Sequence, residues 1–296
     1  VGIVGVTGAG KSAFINAILD REVASVSEGN ATGCITDFVW VADPRGEGVA
    51  VTLRNRADME AEIREFRGGT TMGRQKAMLR ELAFTDIGGA DGLLSTGRHA
   101  MRLRQIEGLE ACRELDTRPR RPLEELWRFT NAQLSPLAYG VERVTVHVSA
   151  KVLERVTLVD TPGIHDPDQR RARLAINEAA TLAGWFYLVR AIDAPTDTVR
   201  DAWGRFDGAA NNRRAALILT MLDLSQSLGF SQLESQRRSE YAREGWDRPI
   251  AACSAAPRLR SRDDMWRAFV VAAVGLSERQ DKRLSLIHIS EPTRPY

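Results

Sequence analysis

Apolar positions fall into short runs separated by glycine, proline and charge, and their period changes along the chain. Val1-Gly-Ile-Val4 is a compact apolar run, and behind it Phe14, Ile15, Ile18 and Leu19 recur at helical spacing, which predicts a strand followed by a helix. Phe38-Val-Trp-Val41 and Gly48-Val-Ala-Val-Thr-Leu53 flank Asp43-Pro-Arg-Gly46 and read as a hairpin. From about Asp58 to Tyr139 the pattern becomes helix-like, as in Met59 to Phe66 and Arg74 to Phe84, broken at Gly68-Gly69 and Gly88-Gly89. Val144 to Val148 alternates valine with polar residues and leads into Val156 to Val159. These two read as an antiparallel pair at a sheet edge, with His147 exposed on the polar side. A helix-like stretch, Ala172 to Ala183, then precedes three apolar strands, Trp185 to Val189, Ala215 to Leu219 and Ile250 to Cys253. Asp263 to Leu276 has two acids at its start and apolar helical spacing, which suits a closing helix.

Composition fits a folded globular protein and excludes collagen-like, disordered and disulfide-scaffold classes: 296 residues, 43% hydrophobic and 27% charged. A formal net charge of +2 argues against nucleic acid as a partner. Cys34, Cys112 and Cys253 are far apart with no metal-ligand spacing, so a reducing, cytoplasmic setting without structural zinc is expected. The apolar stretch Ala268 to Leu276 is too short to cross a bilayer, and no signal peptide precedes Val1. Only four of the 41 basic residues are lysines, a bias that fits GC-rich coding, so a retained lysine points to chemistry. Arg118-Pro-Arg-Arg-Pro122 reads as a solvated surface turn. The chain opens on Val1 inside an apolar run, so the first strand is expected to be cut short. Its last segment, Leu284 to Tyr296, resembles translated sequencing adapter and is set aside from the fold.

The chemistry begins at Gly5-Val6-Thr7-Gly8-Ala9-Gly10-Lys11-Ser12, followed by Ala13, a full match to GxxxxGK[ST] between strand and helix. Glycines let backbone N–H groups turn inward around phosphates at the positive end of a helix dipole. Lys11 would place a mobile cation on the β- and γ-phosphates, and the Ser12 hydroxyl would ligate Mg²⁺. A second anchor is Val-Thr-Leu-Val-Asp160-Thr161-Pro162-Gly163. An acid at the carboxyl tip of a strand suits Asp160 to the Mg²⁺ shell, with the Gly163 N–H toward the γ-phosphate. Thr220-Met221-Leu222-Asp223 and Ser254-Ala255 follow the next two apolar runs and resemble guanine-recognition motifs. Asp223 would accept two N–H bonds that adenine does not supply, while Met221 stands where such motifs carry lysine.

In this order the motifs resemble those of the translation-factor-related GTPases and, within them, the dynamin-like GTPases of bacteria. Ser12-Ala-Phe-Ile-Asn16-Ala-Ile-Leu19 and Leu158 to Gly163 carry the narrower resemblance, together with the long interval between Lys11 and Asp160. The resemblance implies an α/β P-loop NTPase three-layer sandwich. Its sheet would be mostly parallel with an antiparallel edge, and a largely helical insertion at about 58–139 would lie between switch I and the DxPG strand. The GTPase domain would occupy residues 1–280. It also implies Mg²⁺, GTP as substrate, a monovalent cation near Thr7 and Gly8, self-association, and a membrane lipid contact through regions outside this chain. Thr32 matches the position of the switch-one threonine that ligates Mg²⁺, with Thr36 as the alternate. Lys11, Thr32 and Gly163 are thus the implied catalytic set. Hydrophobic Ile164 follows Gly163 where other GTPases carry a glutamine that orients water, and His165 reads as a solvent-facing switch residue. Slow intrinsic turnover that rises with self-association or a partner is expected; the alternatives are an Era-like or other regulatory GTPase switch, or a module that binds nucleotide with little turnover.

Overall fold

A computed structural model describes residues 1–6, 8–24, 33–69, 103–113, 115, 120–132, 134–164, 169–193, 200, 204, 215–220, 230–243 and 250–252. The expected segments 74–84 and 263–276 lie outside the described residues, as does the tail. Among the described residues eight strands form one sheet: β1 (Gly2–Gly5), β2 (Ile35–Trp40), β3 (Gly48–Leu53), β4 (Val141–Val148), β5 (Leu158–Asp160), β6 (Trp185–Arg190), β7 (Ala215–Thr220) and β8 (Ile250–Ala252). Their spatial order is β3-β4-β2-β5-β1-β6-β7-β8. From β5 through β8 all neighbours run parallel, whereas β2 is antiparallel to β5 and β3 is antiparallel to β4.

The central strands are buried on both faces, as continuous apolar runs require. Trp185, Tyr187 and Val189 of β6 enter one apolar cluster with Leu217 and Leu219 of β7, while Phe186 and Leu188 enter another with Ile218. The period of two thus divides one sheet between two cores. Helix α1 (Lys11–Leu19) covers the second face with Phe14, Ile15, Ile18 and Leu19. Further helices are α2 (Arg56–Gly69), α3 (residues 103–112), α4 (Leu126–Thr130), α5 (Gln169–Thr181) and α6 (Phe230–Arg243). Leu233 and Tyr241 of α6 close the first face. Met59 and Ile63 of α2 pack with Ile106, Leu109 and Cys112 of α3. Gly108 seats α3 against a different segment, because a Cβ there would lie 1.8 Å from the Pro136 carbonyl oxygen.

Two pairings differ from the sequence expectation. β2 and β3 do run in opposite directions, but they are not a hairpin, since β4 lies between them, parallel to β2 and antiparallel to β3. β4 and β5 are likewise not paired, since β2 separates them. β4 is an eight-residue strand with buried valines at 141, 144, 146 and 148, and it satisfies six-residue partners on both sides. His147, expected to be exposed, is half-buried because it pairs with Gly48 of β3, and burial together with nearby Arg120 lowers its pKa. Part of the arginine turn is also structural. Arg121 exchanges two backbone hydrogen bonds of 2.8 Å with Val49, covers part of the outer edge of β3, and stacks over Phe129 at 5.4 Å. Arg120 donates to the Gly46 carbonyl at 2.6 Å.

Candidate functional site

Parallel strands leave a crevice beyond their carboxyl ends, and the motif residues converge there. β1 ends at Gly5, the loop runs to Gly10, and α1 starts at Lys11. Gly8 and Gly10 adopt left-handed backbone angles, φ 77° and 80°, and Gly10 serves as the helix N-cap residue. Side chains resist that conformation, so glycine at these places lets the loop curl above the helix terminus. Ala9 N donates to Val6 O at 3.3 Å, and Phe14 N donates to Gly10 O at 2.8 Å. Lys11 is buried, its ammonium 3.2 Å from Val6 O and 3.4 Å from Gly5 O. The cation is therefore turned onto the loop's own carbonyls. Ala13 lies in the first turn of α1, half-buried.

β5 brings Asp160 alongside. It is 3% exposed, and the Ser12 hydroxyl donates to its Oδ2 at 3.1 Å across 148 residues of sequence. Oδ1 is buried without a hydrogen-bond partner. Burial pushes the Asp160 carboxyl up to about 6, against the opposing pull of Lys11, the Ser12 hydrogen bond and the Thr161 backbone. A desolvated carboxylate with an uncommitted oxygen beside a hydroxyl is a hard oxygen donor set, the kind that Mg²⁺ takes. Thr161 anchors the turn that follows, its hydroxyl donating to Ile3 O at 3.0 Å, and Gly163 is buried behind it. Ile164, 4% exposed, donates its N–H to Gly5 O at 3.4 Å.

Thr220 reaches the same place from the end of β7. Its buried hydroxyl lies 2.9 Å from Ala9 O and 3.1 Å from Val189 O, so its one proton links the strand tip to the phosphate loop or to β6. Thr36, the alternate switch threonine, sits inside β2, 2% exposed and opposite Asp160. Thr7, Thr32, His165, Met221, Asp223, Ser254 and Ala255 lie outside the described residues.

Two arginines escaped the motif reading, and Asn16, part of the family-like stretch, was given no role there. Asn16 accepts from Val23 N at 2.9 Å and Ala24 N at 2.6 Å and donates to Ala24 O at 2.9 Å, fixing the chain where it leaves α1. Its signals were its place in that stretch and a polar side chain set among Phe14, Ile15, Ala17 and Ile18. Arg143 of β4 grips both carboxylate oxygens of Asp37 at 2.8 and 2.7 Å and also bonds Glu178 of α5. Arg171, at the start of α5, stacks over Tyr139 at 5.5 Å. Together these arginines tie the helix after the DxPG turn to the segment before β5, a link visible only once the strand order is known.

A glycine loop between a first parallel strand and its helix, with an acid at the tip of the neighbouring strand, defines the P-loop GTPase fold. The model of the dynamin family matches residues 1–202, and the chain belongs to that family as a dynamin-type GTPase domain. Two solved structures of an oligomerised bacterial dynamin pair, described as providing a mechanism for long-range sensing and tethering of membranes, superpose on it with TM-scores of 0.59 at 14% identity. The alignments cover 94% of this chain and 44% and 39% of those chains, so it spans less than half their length. A crystal structure of Era with MgGDPNP and nucleotides 1506–1542 of 16S ribosomal RNA gives 0.44 at 11% identity, over 91% of this chain and 54% of that one. That likeness is too low to argue from. Curated protein sequences offer no match.

Proposed function

We propose that the chain binds Mg·GTP and hydrolyses its γ-phosphate, with turnover that rises on self-association. The observation that carries this reading is the hydrogen bond from Ser12 to buried Asp160 beside Lys11, at the carboxyl ends of parallel strands and below a glycine loop. Ser12 and Asp160, with Thr32 from switch I, would hold the ion. When bound, Mg²⁺ supplies positive charge that offsets the charge developing on the phosphate oxygens. Lys11 exchanges its contacts with Gly5 O and Val6 O for phosphate oxygens, which neutralises charge without long-range movement. The N–H groups of Gly8, Ala9, Gly10 and Ala13 bind and orient the phosphates, and the Gly163 N–H holds the γ-phosphate. Asp223 selects guanine, with Ser254 and Ala255 on the other side of the base. Slow intrinsic turnover follows from buried Ile164 and from Gly8, which has no side chain to orient water or to hold a monovalent cation.

The self-association reading draws on the oligomerised dynamin pair among its structural neighbours, as does the reading of a lipid surface as partner through segments outside this chain. Among the described residues no helix is long and apolar enough to cross a membrane. The test compares phosphate release from GTP by the wild type and by Lys11→Ala over a range of protein concentrations. Release should fall at least a hundredfold in the variant and should rise per molecule with concentration in the wild type. Equal release from both would leave no enzyme. Competition between GTP and ATP tests the base, and equal affinity would refute the role given to Asp223.

A further inference from the structure

A small cavity of about 10 Å³ lies behind the Ser12–Asp160 pair, walled by Ser12, Ala24, Thr36, Phe38, Leu126, Thr130 and Asp160. That is room for one water molecule, and water occupies such a space when two or more polar groups face it. Two of the wall's oxygens, Thr36 Oγ1 and Asp160 Oδ1, are buried without a hydrogen-bond partner. Their residues are 2% and 3% exposed and directly opposed in the antiparallel register of β2 and β5. Isolated buried oxygens are costly, so a pair on residues that line one cavity calls for a shared partner.

The remaining polar groups on the wall have their protons committed. Ser12 donates to Asp160 Oδ2, and Thr130 Oγ1 donates to Leu126 O at 3.0 Å, leaving the Thr130 oxygen as an acceptor only. The Cys34 thiol, two residues before Thr36, is only a weak acceptor for its hydroxyl, and its own proton points to Phe129 O at 3.5 Å. Thr36 is therefore the wall's one side-chain donor without a better acceptor.

We propose that Thr36 is a positioning residue for the metal-binding carboxylate, acting through one water held in this cavity. The Thr36 hydroxyl donates to the water, and the water donates to Asp160 Oδ1. Its second proton has the Thr130 oxygen as acceptor. Oδ2 is held by Ser12, so the carboxylate is fixed at both oxygens, and each oxygen still has a lone pair for the ion. Groups that orient a metal ligand in this way usually change metal affinity by about 10–100-fold when removed. Thr36 would then do its work from inside a strand, where a mobile switch threonine does not belong.

The inference rests on the nucleotide-binding reading above. Its test uses the full chain and two variants, Thr36→Val, which keeps the shape without the hydroxyl, and Thr36→Ser, which restores it. Mn²⁺ affinity of the GDP complex is measured by electron paramagnetic resonance, and GDP affinity is measured separately in EDTA. Thr36→Val should weaken Mn²⁺ about tenfold or more while GDP affinity in EDTA stays at the wild-type value, and Thr36→Ser should recover Mn²⁺ binding. Wild-type Mn²⁺ affinity in Thr36→Val would overturn the proposal and leave the nucleotide reading intact. Equal loss in both variants, or a parallel loss of GDP affinity in EDTA, would make Thr36 a packing residue only. If the wild type binds neither GDP nor Mn·GDP, both readings fall together.

Discussion

The Thr220 hydroxyl has one proton and two carbonyl acceptors, Ala9 O in the phosphate loop and Val189 O in β6. It stands at the start of a segment read for guanine recognition, yet its side chain is wholly buried and turned toward the loop. Thr220→Val preserves the volume and removes the proton, leaving a loop carbonyl unpaired in the interior. The expected loss is about 1–3 kcal/mol, measured by urea denaturation, with weaker nucleotide binding because Ala9 loses its tether. Stability within a few tenths of a kcal/mol of wild type would mean that the loop is held by other bonds. Motif spacing was enough to bring Lys11, Ser12 and Asp160 to one place, because the glycine loop and the strand-end acid each have a fixed relation to the sheet. Thr36 and Asp160 were harder to join. Their meeting depends on an antiparallel register between strands more than a hundred residues apart, and nothing local to Thr36 states that register.

Where elements meet, one carboxylate joins three of them. Glu47, just before β3, accepts from Arg21 beyond the end of α1 at 2.6 Å and from Ser149 N beyond β4 at 2.8 Å. These partners hold its pKa near 2, well below the ordinary 4.5. A depressed acid stabilises the fold above its unfolded pKa, and that stability drains away as pH falls from about 4.5 toward 2. Arg21 is 43% exposed, so solvent screening reduces the gain to about 1 kcal/mol. Glu47→Gln should therefore unfold more easily at pH 7 and match the wild type near pH 2. An unchanged acid-unfolding curve would sink this assignment. The same region shows why the pairing of β2, β3 and β4 was misread. Asp43-Pro-Arg-Gly46 does reverse the chain, but the alternating pattern of β4, about a hundred residues on, competes for both β2 and β3 and takes the place between them. Strand patterns identify strands and faces, whereas neighbours are decided by long-range competition for edges. By contrast β6 and β7 ended within one residue of their expected limits, because runs such as Trp185 to Val189 belong inside a parallel sheet.

Across the molecule the site is a junction of segments that are distant in sequence: β1, α1, β5 and β7 each contribute a residue to it, β1 and β7 also enter both apolar clusters, and α1 and β5 enter one. A ligand there is tied through β1 and β7 to both faces of the sheet, so binding should stabilise the whole fold against unfolding as well as the loop. With no binding to the unfolded chain, ligand at a hundred times its dissociation constant adds about 2.7 kcal/mol. For a protein of this size that is a rise of roughly 5–10 °C in melting temperature. Packing between α2 and α3 is separate, built on Met59, Ile63, Ile106 and Leu109, and Gly108 seats α3 against Pro136. Gly108→Ala should destabilise the seating of α3, because the Pro136 carbonyl must move, while Mg·GTP should still raise the melting temperature of the variant by the wild-type increment. Thermal melts of both proteins with and without Mg·GTP decide the matter. A smaller increment in the variant would mean that the helical pair is energetically coupled to the nucleotide site, through the Arg143–Glu178 and Arg171–Tyr139 contacts that connect its neighbourhood to α5.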